Sequence, residues 1–265
     1  IPYTCTVAGA SYHLATNHTA SAGQNGIIIA TNFVSVDLMG FALTGSGATA
    51  GQGIVGTTDA HNIRIANGSI VDWNGSDYGI ECSGDYVELA GLRVLRNEGG
   101  VMLNDYSRIT DCTSAYNVGG GLVVRHYGVI ENCDAVSNGW HGISAWDNAL
   151  VRNCRSRQNA SAGISVANDG QVLGNTSMEN GIGLQVSGSG TVVADNTVKG
   201  NAENYDFAAG NQLNLLLCEI PEGLDWPCSV KLAGTLTCTN TSTNGITVAA
   251  DNVTIDLGGH ALIGP

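Results

Sequence analysis

One internal period of about 21 residues constrains the fold of this chain more than any other feature. A glycine followed by an apolar residue recurs from Gly79-Ile80 to Gly183-Leu184, at steps of 21, 21, 21, 21 and 20 residues. Two further series keep the same period, and three series with one period indicate a structural repeat. They are the asparagines Asn117, Asn138, Asn159, Asn180 and Asn201, and the cysteines Cys112, Cys133 and Cys154, whose column Asn175 and Asn196 continue.

Each repeat unit carries three short apolar segments separated by glycine, asparagine and aspartate, which is a pattern of strands and turns. No apolar stripe of helical period runs through a unit, so there is no room for a helix. Such short strands cannot bury a face alone, but coils stacked about 4.8 Å apart can. The sequence therefore predicts an all-β parallel β-helix. A turn asparagine fits it, because its side chain tolerates left-handed geometry and bonds to the asparagine above.

Composition excludes several classes of protein. The net charge is −13 with only 10 lysines and arginines, which argues against nucleic acid as a partner. An apolar share of 43% is too high for a disordered polar tail. The chain has no uninterrupted apolar run of about 18 residues, so it predicts no membrane span.

Two stretches carry a family resemblance: residues 34–45 (VSVDLMGFALTG) and residues 62–71 (NIRIANGSIV). Both resemble opening coils of the right-handed parallel β-helix repeat proteins of the pectate-lyase-like superfamily, which includes carbohydrate-binding and sugar-hydrolase domains. The resemblance covers nearly the whole chain and implies a right-handed solenoid. It leaves the function open, because this architecture serves lyases, hydrolases, epimerases, adhesins and tailspikes.

A second, longer period divides the chain. At an offset of 219 residues, positions 25–45 match positions 244–264 at 11 of 21 places. We therefore predict one β-helix module over residues 1–219 and the opening coils of a homologous module over residues 220–265. Either the chain is a window on a longer array of modules, or the last segment is a built-in cap that mimics the first coils.

The eight cysteines show no zinc-like spacing, so we predict no metal cluster, and weak Ca²⁺ binding by the acidic surface is the one cofactor expectation. Cys112, Cys133 and Cys154 form either an inward stack of free thiols or a vertical disulfide between two of them. Cys218 could bridge to Cys228 or to Cys238 at the module junction. Cysteines and fold together favour a secreted or cell-surface location. Asn-X-Ser/Thr triplets begin at Asn17, Asn67, Asn74, Asn159, Asn175, Asn240 and Asn252, and we expect Asn175 to be inaccessible.

The turns that follow the glycine-apolar segments form a candidate glycan-binding strip, because residues one coil apart line up along a solenoid. Aromatic rings can stack on sugar rings there, and carboxylates can hold hydroxyl groups. The alternative is that these aromatic side chains only cap the sides of the coils. The glycan-binding candidates are Tyr106, Tyr127, Trp146 and Asp147 in the strip, with Trp140 and His141 in a second strip at the coil ends.

Two classes of function remain. The first is a structural module of an extracellular fibre, stalk or sheath, stacked on copies of itself or on further modules and touching glycans along one face. The second is a polysaccharide-active enzyme, a lyase or glycoside hydrolase, or a polysaccharide-binding module. For an enzyme, the candidate catalytic residues are Arg125, His126 and Tyr127, with Asp105 and Asp147 two coils apart as a carboxylate pair.

Overall fold

The structure, a computed structural model, describes residues 3–47, 51–75, 78–217, 224–237 and 246–263. Within these ranges the chain forms β-strands joined by turns and contains no α-helix. In the same ranges, no helix has the length and apolar character needed to cross a bilayer. The strands pair in parallel, coil on coil, which confirms the predicted all-β parallel β-helix.

Thirty strands, most of them three residues long, make up the described part of the chain. The first ten are β1 (Tyr3–Cys5), β2 (Ser11–His13), β3 (His18–Thr19), β4 (Ile27–Ile29), β5 (Ser35–Asp37), β6 (Ala42–Gly47), β7 (Ile54–Gly56), β8 (Arg64–Trp73), β9 (Ile80–Cys82) and β10 (Glu88–Leu95). The next ten are β11 (Val101–Leu103), β12 (Arg108–Thr110), β13 (Thr113–Ala115), β14 (Leu122–Val124), β15 (Val129–Glu131), β16 (Asp134–Val136), β17 (Ile143–Ala145), β18 (Leu150–Arg152), β19 (Arg155–Arg157) and β20 (Ala162–Val166). The last ten are β21 (Gln171–Leu173), β22 (Thr176–Met178), β23 (Ile182–Val186), β24 (Val192–Lys199), β25 (Glu203–Phe207), β26 (Gln212–Leu217), β27 (Ser229–Leu232), β28 (Leu236–Thr237), β29 (Thr254–Asp256) and β30 (Leu262–Ile263).

Three strand faces run along the solenoid. The first face is a ten-stranded parallel sheet in the order β1-β4-β7-β9-β11-β14-β17-β20-β23-β25. Its register advances by 21 residues from Leu122 to Ile143 to Ile164, as the period predicts. The second face contains β12, β15, β18 and β21, and the third contains β13, β16, β19 and β22. The longer strands β8, β10, β24 and β26 belong to both faces and continue around the corner between them.

Strand alternation fills the core. In β9, β11 and β17 the first and third residues are buried and the middle residue faces outward. The buried positions are occupied by apolar side chains such as Ile80, Leu103 and Ile143, each 0% exposed. Because each coil lays the same positions over those below, these side chains form one continuous interior column.

Each coil turns its corners through a residue with positive φ. Tyr116, Ser137 and Gln158 occupy one corner in successive coils, with φ of 58°, 53° and 57°. The ladder asparagine is the next residue, and it is absent from this left-handed set. The prediction that the ladder asparagines themselves adopt this conformation is therefore wrong. Reversing the chain direction one residue earlier leaves the asparagine free to point inward.

The asparagine ladder supplies hydrogen bonds along the solenoid axis. The backbone N–H of Asn117 donates to Oδ1 of Asn138 (3.2 Å), and that of Asn138 donates to Oδ1 of Asn159 (3.0 Å). Asn159 and Asn180 continue the pattern to Asn201, and Asn97 begins it before Asn117. The predicted bond from each asparagine to the next coil is confirmed, and it satisfies corner amides that strand pairing leaves without partners.

The cysteine column also supplies hydrogen bonds along the solenoid axis, at a second corner. The backbone N–H of Cys112 donates to Sγ of Cys133 (3.5 Å), and that of Cys154 donates to Oδ1 of Asn175 (2.8 Å). Cys112, Cys133 and Cys154 are buried free thiols, which confirms the inward thiol stack over the vertical disulfide. The hydrogen bond that Cys112 shares with Cys133, together with burial, raises the pKa of Cys112.

The structure also bears on the cysteines at the module junction and on the exposure of two Asn-X-Ser/Thr asparagines. Cys228 is a buried free thiol, whereas Cys218 and Cys238 lie outside the described residues. The predicted bridge from Cys218 to Cys228 is therefore wrong, and the alternative bridge from Cys218 to Cys238 stays a prediction. Asn175 is 1% exposed, as expected, and Asn159 is buried in the asparagine ladder.

The described residues after position 223, which are 224–237 and 246–263, stack in the same sense as the first coils. Strand β27 pairs with β26 on one side and with β29 on the other, and β28 pairs with β30. The pairings of β27 with β29 and of β28 with β30 correspond to those of β2 with β5 and of β3 with β6 near the start of the chain. The division into modules 1–219 and 220–265 stays a prediction.

The asparagine ladder predicts that a single negative charge introduced into it lowers the stability of the protein strongly. Asn138→Asp replaces a side-chain amide that donates to the Ser114 carbonyl and to Asn159 Oδ1. The new carboxylate oxygen would face two acceptors in the core, so the free energy of unfolding should fall by about 3 kcal/mol. Asn132→Asp, at an exposed corner residue with φ of 53°, is the matched control and should change stability by less than about 0.5 kcal/mol. Urea denaturation measures both, and equal losses would contradict the ladder's role.

The thiol column predicts a distinct alkylation pattern. Burial raises the pKa of Cys82 to about 12, and Cys112 and Cys133 are also buried thiols. Native protein treated with iodoacetamide near pH about 8 should leave these three unmodified. In guanidinium chloride without reductant all three should be alkylated, as peptide mass spectrometry would show. A need for reductant would establish a disulfide in place of the free thiols.

Candidate functional site

The polar and aromatic side chains predicted as a strip do line up beside the first sheet. They lie in the turns that follow β9, β11, β14, β17 and β20, one coil after another. We call these residues the aromatic–acid strip. They are Asp85, Tyr86, Asn104, Asp105, Tyr106, Arg125, His126, Tyr127, Trp146, Asp147, Asn168 and Asp169.

Three tyrosines of the strip form a stacked ladder. Tyr86 and Tyr106 have ring centroids 5.1 Å apart, and Tyr106 and Tyr127 are 4.9 Å apart with planes only 3° from parallel. All three occupy corner positions with positive φ, a conformation that is costly for bulky residues. Partial desolvation, followed by the neighbouring phenols of Tyr127 and Tyr86, raises the pKa of Tyr106. The corner geometry therefore holds three rings in line at the surface, each about half exposed.

Arg125 and His126, in the same turn as Tyr127, both contact Trp146 of the next coil. The guanidinium carbon of Arg125 lies 5.0 Å from the centroid of the Trp146 ring, and Arg125 also donates to Oδ1 of Asn104 (3.3 Å). The His126 ring meets the Trp146 ring edge-on at 5.4 Å. Trp146 therefore contacts two side chains of the preceding coil, although 38% of it stays exposed.

Asp147 is held ionised beside this cluster. The backbone N–H and the side-chain amide of Asn168 both donate to Asp147 Oδ1 (3.1 and 2.9 Å). These bonds from Asn168 hold the pKa of Asp147 below its usual value. Asp147 Oδ2 lies 3.3 Å from Nδ1 of His126. Two coils before Asp147, Asp105 accepts the backbone N–H of His126 (3.2 Å), so both acids also brace the turns.

A shallow cavity of about 240 Å³ opens next to Trp146. Arg125 covers Trp146 from the preceding coil, whereas the cavity extends over the two following coils. In those coils the position equivalent to Trp146 carries a small residue, first Ala167 and then Ser187. The step from a large ring to small side chains creates the space. The other lining residues are His126, Ser144, Ala145, Asp147 and Ser165.

A larger cavity, of about 380 Å³, lies among core-facing side chains of the first coils, including Cys5, Ile27 and Val36. These residues belong to the hydrophobic interior, so this volume is the open end of the core. We therefore locate the candidate site at the strip and not at this larger volume.

The second predicted pair lies at the opposite edge of the first sheet. Trp140 and His141 precede β17 and contact each other, with ring centroids 4.3 Å apart. Nδ1 of His141 accepts the backbone N–H of Ala162 (3.1 Å), and burial lowers the pKa of His141. His141 therefore braces a turn, whereas Trp140 remains 56% exposed.

The candidate catalytic residues point to different partners. Arg125 stacks on Trp146, His126 pairs with Asp147, and Tyr127 belongs to the tyrosine ladder. Among the described residues, no group of three or more His, Cys, Asp or Glu side chains is arranged to hold a metal ion.

Sequence reasoning missed several members of the site. Tyr86 extends the tyrosine ladder, and its 20-residue spacing from Tyr106 was the available signal. Ser144 of β17, Ser165 of β20 and Ser187 after β23 line the cavity, and the sequence patterns did not single them out.

Comparisons with known proteins agree with this fold. Residues 78–217, more than half of the chain, match the family described as right-handed beta helix region. No curated protein sequence matches the chain. Among solved structures, the A-module of a mannuronan C-5 epimerase from Azotobacter vinelandii is similar over 100% of this chain and 91% of its own length, with a TM-score of 0.63 and 14% identity.

Two further structures show the same architecture. Pectate lyase Pel9A is similar over 88% of this chain and 74% of its own, with a TM-score of 0.58 and 15% identity. The Dettilon tailspike protein is similar over 100% of this chain, with a TM-score of 0.61 and 14% identity, and the chain spans only 60% of its length. At such low identity the similarity concerns the fold alone. The chain belongs to the right-handed beta helix family.

Proposed function

We propose that this protein is an extracellular polysaccharide-binding module whose site is the aromatic–acid strip. The observation that carries the proposal is the cavity beside Trp146, where the partly exposed ring adjoins serine hydroxyls and the Asp147 carboxylate. An aromatic face with a few placed polar groups is what a sugar ring requires.

The length of the strip supports a polymer in preference to a small molecule. Aromatic side chains continue from Trp146 through Tyr127 and Tyr106 to Tyr86, over four successive coils. Successive coils are about 4.8 Å apart, so an extended chain can contact several of them at once. Two structures with the same fold are named for polysaccharides, pectate and mannuronan, which agrees with this proposal.

A binding screen with matched variants tests the proposal. Affinity electrophoresis against soluble plant, algal and bacterial polysaccharides should detect at least one ligand. Trp146→Ala removes the stacking face, so the Kd for that ligand should rise by about tenfold, or about 1.4 kcal/mol. Tyr127→Asn should weaken binding by a smaller factor, because asparagine keeps the positive φ but removes one ring of the ladder.

Tyr116→Asn is the control. Tyr116 is also exposed and has a φ of 58°, but it lies at a different corner. Its substitution should leave binding unchanged. Equal losses in the Tyr127 and Tyr116 variants, or no ligand in the screen, would refute the site. New reducing or unsaturated sugar ends during the screen would instead establish an enzyme.

A structural role is the second candidate, and the strand pairing between residues 224–237 and residues 246–263 favours it. The opening strands recur after the last coils: β27 pairs with β26, and β27 pairs with β29 as β2 pairs with β5 near the start of the chain. Modules joined in this way would build a rod. Electron microscopy of native material should then show filaments with an axial repeat of about 50 Å, from about ten coils at about 4.8 Å. Discrete short particles would contradict the fibre and leave the binding module.

A further inference from the structure

Charge is distributed unevenly around the solenoid. Of the 10 lysines and arginines, all within the described residues, nine lie on the second and third faces or at the corner that ends the third. Arg125 alone lies beside the first sheet. Several of the others are already paired, Arg108 and Arg152 with Glu131, and Arg155 with Asp134.

The side that carries the strip is rich in carboxylates. They occupy outward positions of the first sheet and the turns that follow it, and the nearest to the cavity is Asp147. The set includes Glu81, Asp85, Asp105, Asp147, Asp169 and Asp206. A polymer lying along this side would meet a negative potential over most of its length.

The one cation on this side is already engaged. The Arg125 guanidinium stacks on Trp146 and donates to Asn104, on the side away from Ala167 and Ser187. The cavity itself offers hydroxyl groups from Ser144, Ser165 and Ser187, and the ionised carboxylate of Asp147. A carboxylate accepts hydrogen bonds from sugar hydroxyls but repels another carboxylate.

We infer that the strip selects polysaccharides of uncharged sugars and discriminates against polyuronates. This inference rests on the proposed binding function and adds the class of ligand. Hydroxyl groups of a neutral pyranose would donate to Asp147 and exchange hydrogen bonds with the serines, with the ring on the free face of Trp146. A uronate ring in the same place would set its carboxylate beside Asp147 without a free cation to balance it.

The test compares two polymer classes under one set of conditions. Soluble β-glucan, galactomannan and xylan represent neutral chains, and polygalacturonate and alginate represent polyuronates. Affinity electrophoresis and calorimetry are run at low ionic strength with a chelator and repeated with added calcium. The wild type should bind at least one neutral polymer about tenfold more tightly than either polyuronate, equivalent to about 1.4 kcal/mol.

Two variants locate the origin of the selectivity. Asp147→Asn removes the charge in the cavity while its amide oxygen can still accept from Asn168, so the preference for the neutral polymer should shrink severalfold. Asp134→Asn makes the same change in net charge on another face, at an exposed partner of Arg155, and should leave the preference unchanged. Equal shifts in both variants would overturn the inference.

The remaining outcomes separate this inference from the proposed function. Polyuronate binding as tight as neutral-polymer binding, with or without calcium, and lost in Trp146→Ala, would keep the binding module and overturn the selectivity. Neutral-polymer binding that survives Trp146→Ala would overturn the inference, because the selecting groups surround that ring. Binding of neither class would overturn both.

Discussion

Parallel pairing between coils is the constraint on which the rest of this structure depends. Every coil must turn its corners at the same places as its neighbours, and each corner uses a residue with positive φ. The next amide has no strand partner, so a side chain of the following coil accepts its hydrogen. Asparagine does this at one corner, and cysteine and then asparagine do it at another. These ladders fix the axial register, which in turn aligns whatever the turns carry outside.

The candidate site is a consequence of that alignment. Once the corners are in register, one tyrosine per coil gives a stack of rings. Trp146 followed by Ala167 and Ser187 in the next coils leaves a cavity. The strip needs no loop of its own and no domain closure. Its geometry comes from the same corners that hold the coils together, and the following turns brace Asp105 and Asp147 through hydrogen bonds.

Periodicity made much of this predictable from the sequence. The 21-residue steps correctly predicted strand register, the inward asparagine and cysteine columns, and the side on which Tyr106, Tyr127, Trp146 and Asp147 lie. The residue that adopts positive φ at each corner could not be predicted from the sequence, because an inward asparagine and a left-handed asparagine have the same 21-residue spacing. Ring stacking, the engagement of Arg125 and the cavity beside Ala167 depend on side-chain direction and size in adjacent coils, which a repeat pattern does not encode.

The most direct test of this account is a crystal structure of the protein with a neutral oligosaccharide taken from the polymer that binds best. The account predicts a sugar ring on the face of Trp146 over Ala167 and Ser187, with a hydroxyl group within hydrogen-bond distance of Asp147. Further rings should follow the solenoid axis along the strip. A ligand bound at Trp140, on the second or third face, or with its rings across the axis would contradict the account.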